Sequence, residues 1–104
     1  MRNVFVTFTE FEWDDGNSEK NWLKHKVSRI EAEQVFFNSP LIVVVDEKNF
    51  NVESRYFLLG RTNDGRHLTI VATVRGTKIR VISARDMHKK ERMRFKDENK
   101  KENP

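Results

Sequence analysis

The chain has 104 residues and no cysteine, with 20 Lys and Arg against 16 Asp and Glu for a net charge of +4. That length holds one core rather than two, and the missing cysteines exclude disulfides, thiol nucleophiles and thiolate metal sites. The longest apolar run, Leu41 to Val45, falls far short of the roughly 18 residues of a membrane helix, so a soluble, cytoplasmic domain without a signal peptide is expected.

Residues 3–13 read as a strand, in which Val4, Val6 and Phe8 alternate with Phe5, Thr7 and Thr9. Loop-forming residues follow at 14–18, with Ser18 capping a short charged helix over 19–26 whose apolar contacts are Trp22 and Leu23. Ser28 and Glu31 have capping-box spacing and open a second helix, carried by Ile30, Ala32, Val35, Phe36 and Phe37 and stopped by Pro40. Leu41 to Val45 is apolar throughout and reads as a strand covered on both faces. After a polar connection over 47–53, strands over 55–62 and 67–75 flank Asp64-Gly65, a two-residue hairpin signal. Gly76-Thr77 turns the chain into a further strand ending near Ala84. A helix from Asp86, its candidate cap, to about Phe95 completes the order β-α-α-β-β-β-β-α. The expected class is α+β: an antiparallel sheet packed by two N-terminal helices, with a C-terminal helix. Residues 1–95 are expected to form a single domain and 96–104 a polar, frayed tail.

The charge is sided along the chain. Residues 1–60 hold seven basic and ten acidic side chains, a balance of −3, whereas 61–94 hold ten basic and three acidic, a balance of +7. A positive block of this kind suits a polyanion. With two-residue turns at both hairpins, one sheet face carries Phe57, Leu59, Leu68, Ile70, Ala72, Val74, Ile79 and Val81, an apolar set that calls for helices over it. The other carries Tyr56, Leu58, Gly60, Thr69, Val71, Thr73, Arg75, Lys78, Arg80 and Ile82. Guanidinium forks bind phosphates bidentately and a phenol stacks on an exposed base, so this second face points to RNA. Lys89, Lys90, Arg92 and Arg94 extend its charge along the C-terminal helix. A solvated, arginine-decorated sheet is the alternative.

No hydroxyl-nucleophile motif or glycine-rich phosphate loop is present. His25, His67 and His88 fall in different elements without HExxH or a carboxylate triad, so neither a metal nor a cofactor is expected. Acid–base chemistry by isolated residues remains, with Lys24-His25 and Glu53-x-Arg55 the candidates. The latter pair would serve equally well as a structural ion pair.

Phe11-Glu12-Trp13-Asp14, Asn21-x-x-Lys24-His25-x-Val27 and Glu31-Ala32-x-x-Val35-Phe36 resemble the N-terminal half of BrnT-type toxins. Glu53-x-Arg55, Gly60-x-Thr62, Gly65-Arg66, Arg75-Gly76 and the run from Ile79 to Arg85, followed by Glu91-Arg92, resemble the C-terminal half. Three positions depart from that pattern: Asn17 stands near a usual lysine, Lys26 where glycine is usual, and Phe95 where tyrosine is.

The resemblance implies a RelE-like ribonuclease fold and a toxin that cuts RNA, mRNA above all, and halts translation. It implies a BrnA-like ribbon-helix-helix antitoxin, contact with DNA only through that partner, assembly as a dimer or a heterotetramer with the antitoxin, and no membrane. The reaction expected is metal-independent attack of the RNA 2′-hydroxyl on the adjacent phosphate. Its catalytic set would be Lys24, His25, Glu53, Arg80 and Arg85, with Arg55, Tyr56, Arg75, Lys78 and Lys89 binding RNA. The alternatives are a non-catalytic RNA-binding module and a structural half of a DNA-bound repressor complex.

Overall fold

The computed structural model describes residues 10–48 and 54–102. In chain order these form β1 (Glu10–Glu12), α1 (Asp15–His25), α2 (Arg29–Val35), β2 (Ile42–Val45), β3 (Arg55–Arg61), β4 (His67–Arg75), β5 (Lys78–Asp86) and α3 (Lys89–Glu102). The rest of the strand expected over 3–13, residues 3–9, lies outside the described residues, as does Glu53.

Local chemistry sets the helices. Asp14, not Ser18, caps α1: its carboxylate accepts from the amides of Gly16 and Asn17 at 2.8 and 3.3 Å, meeting two donors that a helix start leaves open. Ser18 is drawn instead into a 2.7 Å bond from Arg29. The capping box of α2 forms as its spacing requires, with Glu31 donating its amide to the Ser28 hydroxyl at 3.1 Å and accepting the Ser28 amide at 3.0 Å.

Between the two helices, Lys26 takes the left-handed conformation, at φ 55° and ψ 40°, and donates its amide to the carbonyls of Asn21 and Trp22. Glycine fills this cap without steric cost, whereas a side chain there costs about 1–2 kcal/mol. Lys26→Gly should therefore stabilise the fold by about 0.5–1 kcal/mol, after allowing for the lost ammonium contact with the Trp22 ring at 5.3 Å. A thermal melt reads this directly, and a lowered midpoint would contradict it.

The sheet runs β1-β5-β4-β3-β2. Strands β2 to β5 pair antiparallel, but β1 lies parallel to β5, so the sheet is not wholly antiparallel as expected. The reason lies at the β5 edge. Among the described residues β1 covers Lys78–Arg80, and α1 then takes over, with buried Asn21 accepting from the Ala84 amide at 3.2 Å where a neighbouring strand would otherwise do so. β2 closes the opposite edge and is half-exposed rather than covered on both faces.

The β3–β4 hairpin overturns the expected register. Thr62 donates to the Arg66 carbonyl at 2.9 Å, and Gly65 takes φ 87°. The loop is thus Asn63-Asp64-Gly65, three residues with glycine in the left-handed position, rather than two. One added residue reverses every β3 side chain. Tyr56, Leu58 and Gly60 turn under the helices, while Phe57 and Leu59 turn to the cationic face, with Phe57 opposite Val71. Gly60 serves α2: a Cβ there would stand 2.5 Å from a Val35 methyl. The β4–β5 turn at Gly76 follows the expected register as far as Ala72 and Val81. A bulge then leaves Ile82 as an extra residue, and pairing resumes at Val71 and Ser83.

Val27, Ala32, Val35 and Phe36 pack on Leu58, Leu68, Ile70, Ala72, Ile79, Val81 and Ala84 to make the main core. On the other face α3 brings Phe95, together with Met87, onto Leu59 and Ile42, the Phe95 ring lying 5.0 Å from His67. Asp86 ends β5 rather than capping this helix. The helix also does not stop at Phe95; the polar stretch expected to fray continues it to Glu102.

Candidate functional site

The sheet face turned away from α2 presents Arg55, Phe57 and Leu59 from β3, Thr69, Val71, Thr73 and Arg75 from β4, and Lys78, Arg80, Ser83 and Arg85 from β5. Asn17, Asn21 and His25 recur at four-residue spacing on α1 and follow β5 along its edge. Arg55 and Arg80 both pair with Thr73, so they flank one β4 residue from opposite sides. With Arg75, Asn17 and Ile82 they line a cleft of about 250 Å³.

Arg80 donates to Asp14 at 2.9 Å through the carboxylate oxygen that the α1 cap does not use. One carboxylate thereby fixes both the helix start and a guanidinium of the cleft. Three guanidiniums converge on this hollow, and their donors match a phosphate.

The other candidates divide. Arg85 stands five residues beyond Arg80 on β5, about 16 Å along the strand, and forks onto Glu91 at 2.8 and 3.1 Å. His25 belongs to that end of the face. Burial first, then the charges of Lys24 and Arg85, push its imidazole below the usual value, with Asp86 working the other way. It is therefore neutral at pH 7 and able to accept a proton. Lys24 is exposed on α1 beside Glu19, Lys20 and Leu23. Lys78 pairs with Glu10 at 3.8 Å, and Lys89 is exposed at the start of α3. Tyr56 is removed from the cationic face altogether: the three-residue loop turns it toward the main core, against which it packs. Among the described residues no three His, Asp or Glu side chains are grouped to hold a metal ion.

Four residues of this region carry roles that sequence reading did not assign. Asn17 lines the cleft and Asp14 anchors its Arg80, and the nearest signal was the helix-start chemistry of residues 14–18. Arg66 donates to both Asp86 oxygens, to Glu31 and to the carbonyls of His25 and Lys26, at 2.7–3.2 Å. These bonds hold the Asp86 carboxyl below its ordinary range, against the opposing effect of burial.

Glu91 is the fourth. Partial burial works to raise its pKa, but bonds from Arg85, the His88 amide and the Thr69 hydroxyl outweigh that and hold it at about 2. Because the folded value lies below the ordinary 4.5, its stabilisation is complete above about pH 4.5 and fades as pH falls toward 2. With the side chain about a quarter exposed, this amounts to about 1–2 kcal/mol. Urea unfolding should find Glu91→Gln less stable by that amount at pH 6, the gap closing near pH 2. A gap independent of pH would contradict the pairing.

Residues 13–91, which include the whole described lining of the cleft, match the family described as the ribonuclease toxin BrnT of type II toxin-antitoxin systems. In fold the chain is similar to the crystal structure of the ribonuclease toxin BrnT from Brucella abortus. The two share 18% identity and a TM-score of 0.61, over 78% of this chain and 99% of that one. No curated relative matches significantly. No helix among the described residues is long and apolar enough to cross a membrane. With three-quarters of its length matched in one stretch, the chain belongs to the BrnT family of ribonuclease toxins, whose type II systems pair each toxin with a protein antitoxin.

Proposed function

We propose that this toxin is a metal-independent, RelE-like endoribonuclease that binds single-stranded RNA, mRNA foremost, on the cationic sheet face and halts translation by cutting it. The observation that carries this reading is the convergence of Arg55, Arg75 and Arg80 on one cleft. In the reaction a base takes the proton of the 2′-hydroxyl, O2′ bonds to the adjacent phosphorus, and the bond to O5′ breaks as an acid protonates it. The products are a 2′,3′-cyclic phosphate and a 5′-hydroxyl. The arginines hold the phosphate and offset the charge that grows on it.

Glu53 precedes Arg55 by two positions in the chain and is, with Lys24 and His25, a candidate for the base and the acid. His25, about 12 Å from Asn17 along α1, meets the strand at the Arg85 end. A ribbon-helix-helix antitoxin that covers the cationic face would silence the toxin and supply its only contact with DNA.

Induced expression without a partner tests this. Growth arrest with loss of mRNA, relieved by the neighbouring antitoxin, is expected. One observation favours a second reading, a non-catalytic RNA-binding module: the described lining of the cleft includes neither a histidine nor a carboxylate. Salt-sensitive RNA binding with no cleavage product would select that module instead.

A further inference from the structure

The altered β3 register does more than remove Tyr56 from the cationic face; it puts Phe57 there. Phe57 lies two residues from Arg55 on the same side of the strand, about 7 Å away, and lines a second hollow of about 440 Å³ between the sheet and α3. Val44, Phe57 and Leu59 form its apolar part, and Arg85, Lys90 and Arg94 bring cations to its edge. Glu91 also lines it, but its carboxylate is neutralised by the Arg85 fork. Lys90 and Arg94, exposed and one turn apart on α3, therefore set the local charge.

We infer that this hollow is a nucleobase subsite for single-stranded RNA. With one phosphate in the arginine cleft, the adjoining base lies against Phe57, and Lys90 and Arg94 receive the phosphate beyond it. The inference rests on the RNA reading above and deepens it. A cationic track with an aromatic floor is the arrangement that holds single strands without reading sequence, because every base has a π face. An acidic, apolar peptide would also match this edge and floor. Nothing ties such a peptide to the neighbouring arginine cleft, whereas an RNA strand has to make the step from Arg55 to Phe57.

Anisotropy with a labelled 2′-O-methyl oligoribonucleotide, which has no free 2′-hydroxyl and cannot be cut by the proposed route, provides the test. Phe57→Leu keeps an apolar floor without a ring, and should weaken binding about 5- to 100-fold. Binding of an abasic oligonucleotide of the same length should not change. Phe57→Tyr keeps the ring and should bind like the parent protein. Arg94→Ala, at an exposed position, should lower the salt slope by about 0.7 for both oligonucleotides.

Unchanged affinity in Phe57→Leu, or an equal loss with the abasic strand, overturns the subsite. If Arg80→Ala still weakens binding in that case, the RNA reading itself stands. Loss of antitoxin binding by Phe57→Leu with RNA binding intact also overturns it, in favour of a protein-docking groove. A parent protein that binds neither oligonucleotide overturns the RNA reading and the subsite together.

Discussion

Arg80→Ala should lower the rate of RNA cleavage by about 10²–10³-fold, the usual consequence of removing one preorganised donor from developing transition-state charge. The expectation follows from position. Arg80 is held by Asp14 at 2.9 Å and faces Arg55 across Thr73, so its guanidinium is fixed before substrate arrives. The fold should hardly notice the change. The Asp14 pair is partly exposed, at 23% and 45% for the two side chains, so its loss costs about 0–1 kcal/mol. The α1 cap survives because it uses the other Asp14 oxygen. Single-turnover cleavage assays beside a thermal melt separate the two effects. A variant that melts like the parent and cleaves at a similar rate would place the reaction elsewhere.

Arg66→Met should be the most damaging single change to stability, costing about 3 kcal/mol. Arg66 is about a quarter exposed, and its guanidinium joins the end of α1, the capping box of α2 and the last residue of β5. Methionine preserves much of the stem but leaves two carboxylates and two helix-end carbonyls without their common donor. A midpoint lower by about 12–24 °C is expected for a domain of this size, and urea unfolding should agree. A change of only a few tenths of a kcal/mol would mean that water replaces the guanidinium without loss.

Where chemistry is local, residue order settles structure. Ser28 and Glu31 form the capping box their spacing requires, and Gly76 makes the tight turn between β4 and β5. The order of strands and helices likewise follows from periodicity and punctuation. The hairpin at Asn63-Asp64-Gly65 shows the limit. Two- and three-residue loops use the same residue types there, and their energies differ little. That small choice determines which β3 side chains lie on the cationic face, so Tyr56 and Phe57 exchange faces. Asp14 and Ser18 are both good caps, and contacts from distant elements separate them: Arg80 on β5 holds Asp14, while Arg29 on α2 takes up the Ser18 hydroxyl. Arg66 and Glu91 act across distant elements, which no local pattern encodes. The positive block over 61–94 was legible as charge, yet the fold divides it: Arg75 and Arg80 join Arg55, from outside the block, in one cleft, while Arg85 pairs separately with Glu91.

Cleavage of a defined oligoribonucleotide by the purified chain, in excess EDTA and without antitoxin, tests the central claim most directly. The expected result is a 5′ fragment ending in a 2′,3′-cyclic phosphate and a 3′ fragment with a free 5′-hydroxyl, with no cut where a 2′-deoxynucleotide replaces the attacking ribose. Cleavage that persists at the deoxy position, or that EDTA abolishes, would contradict 2′-hydroxyl attack in an arginine cleft.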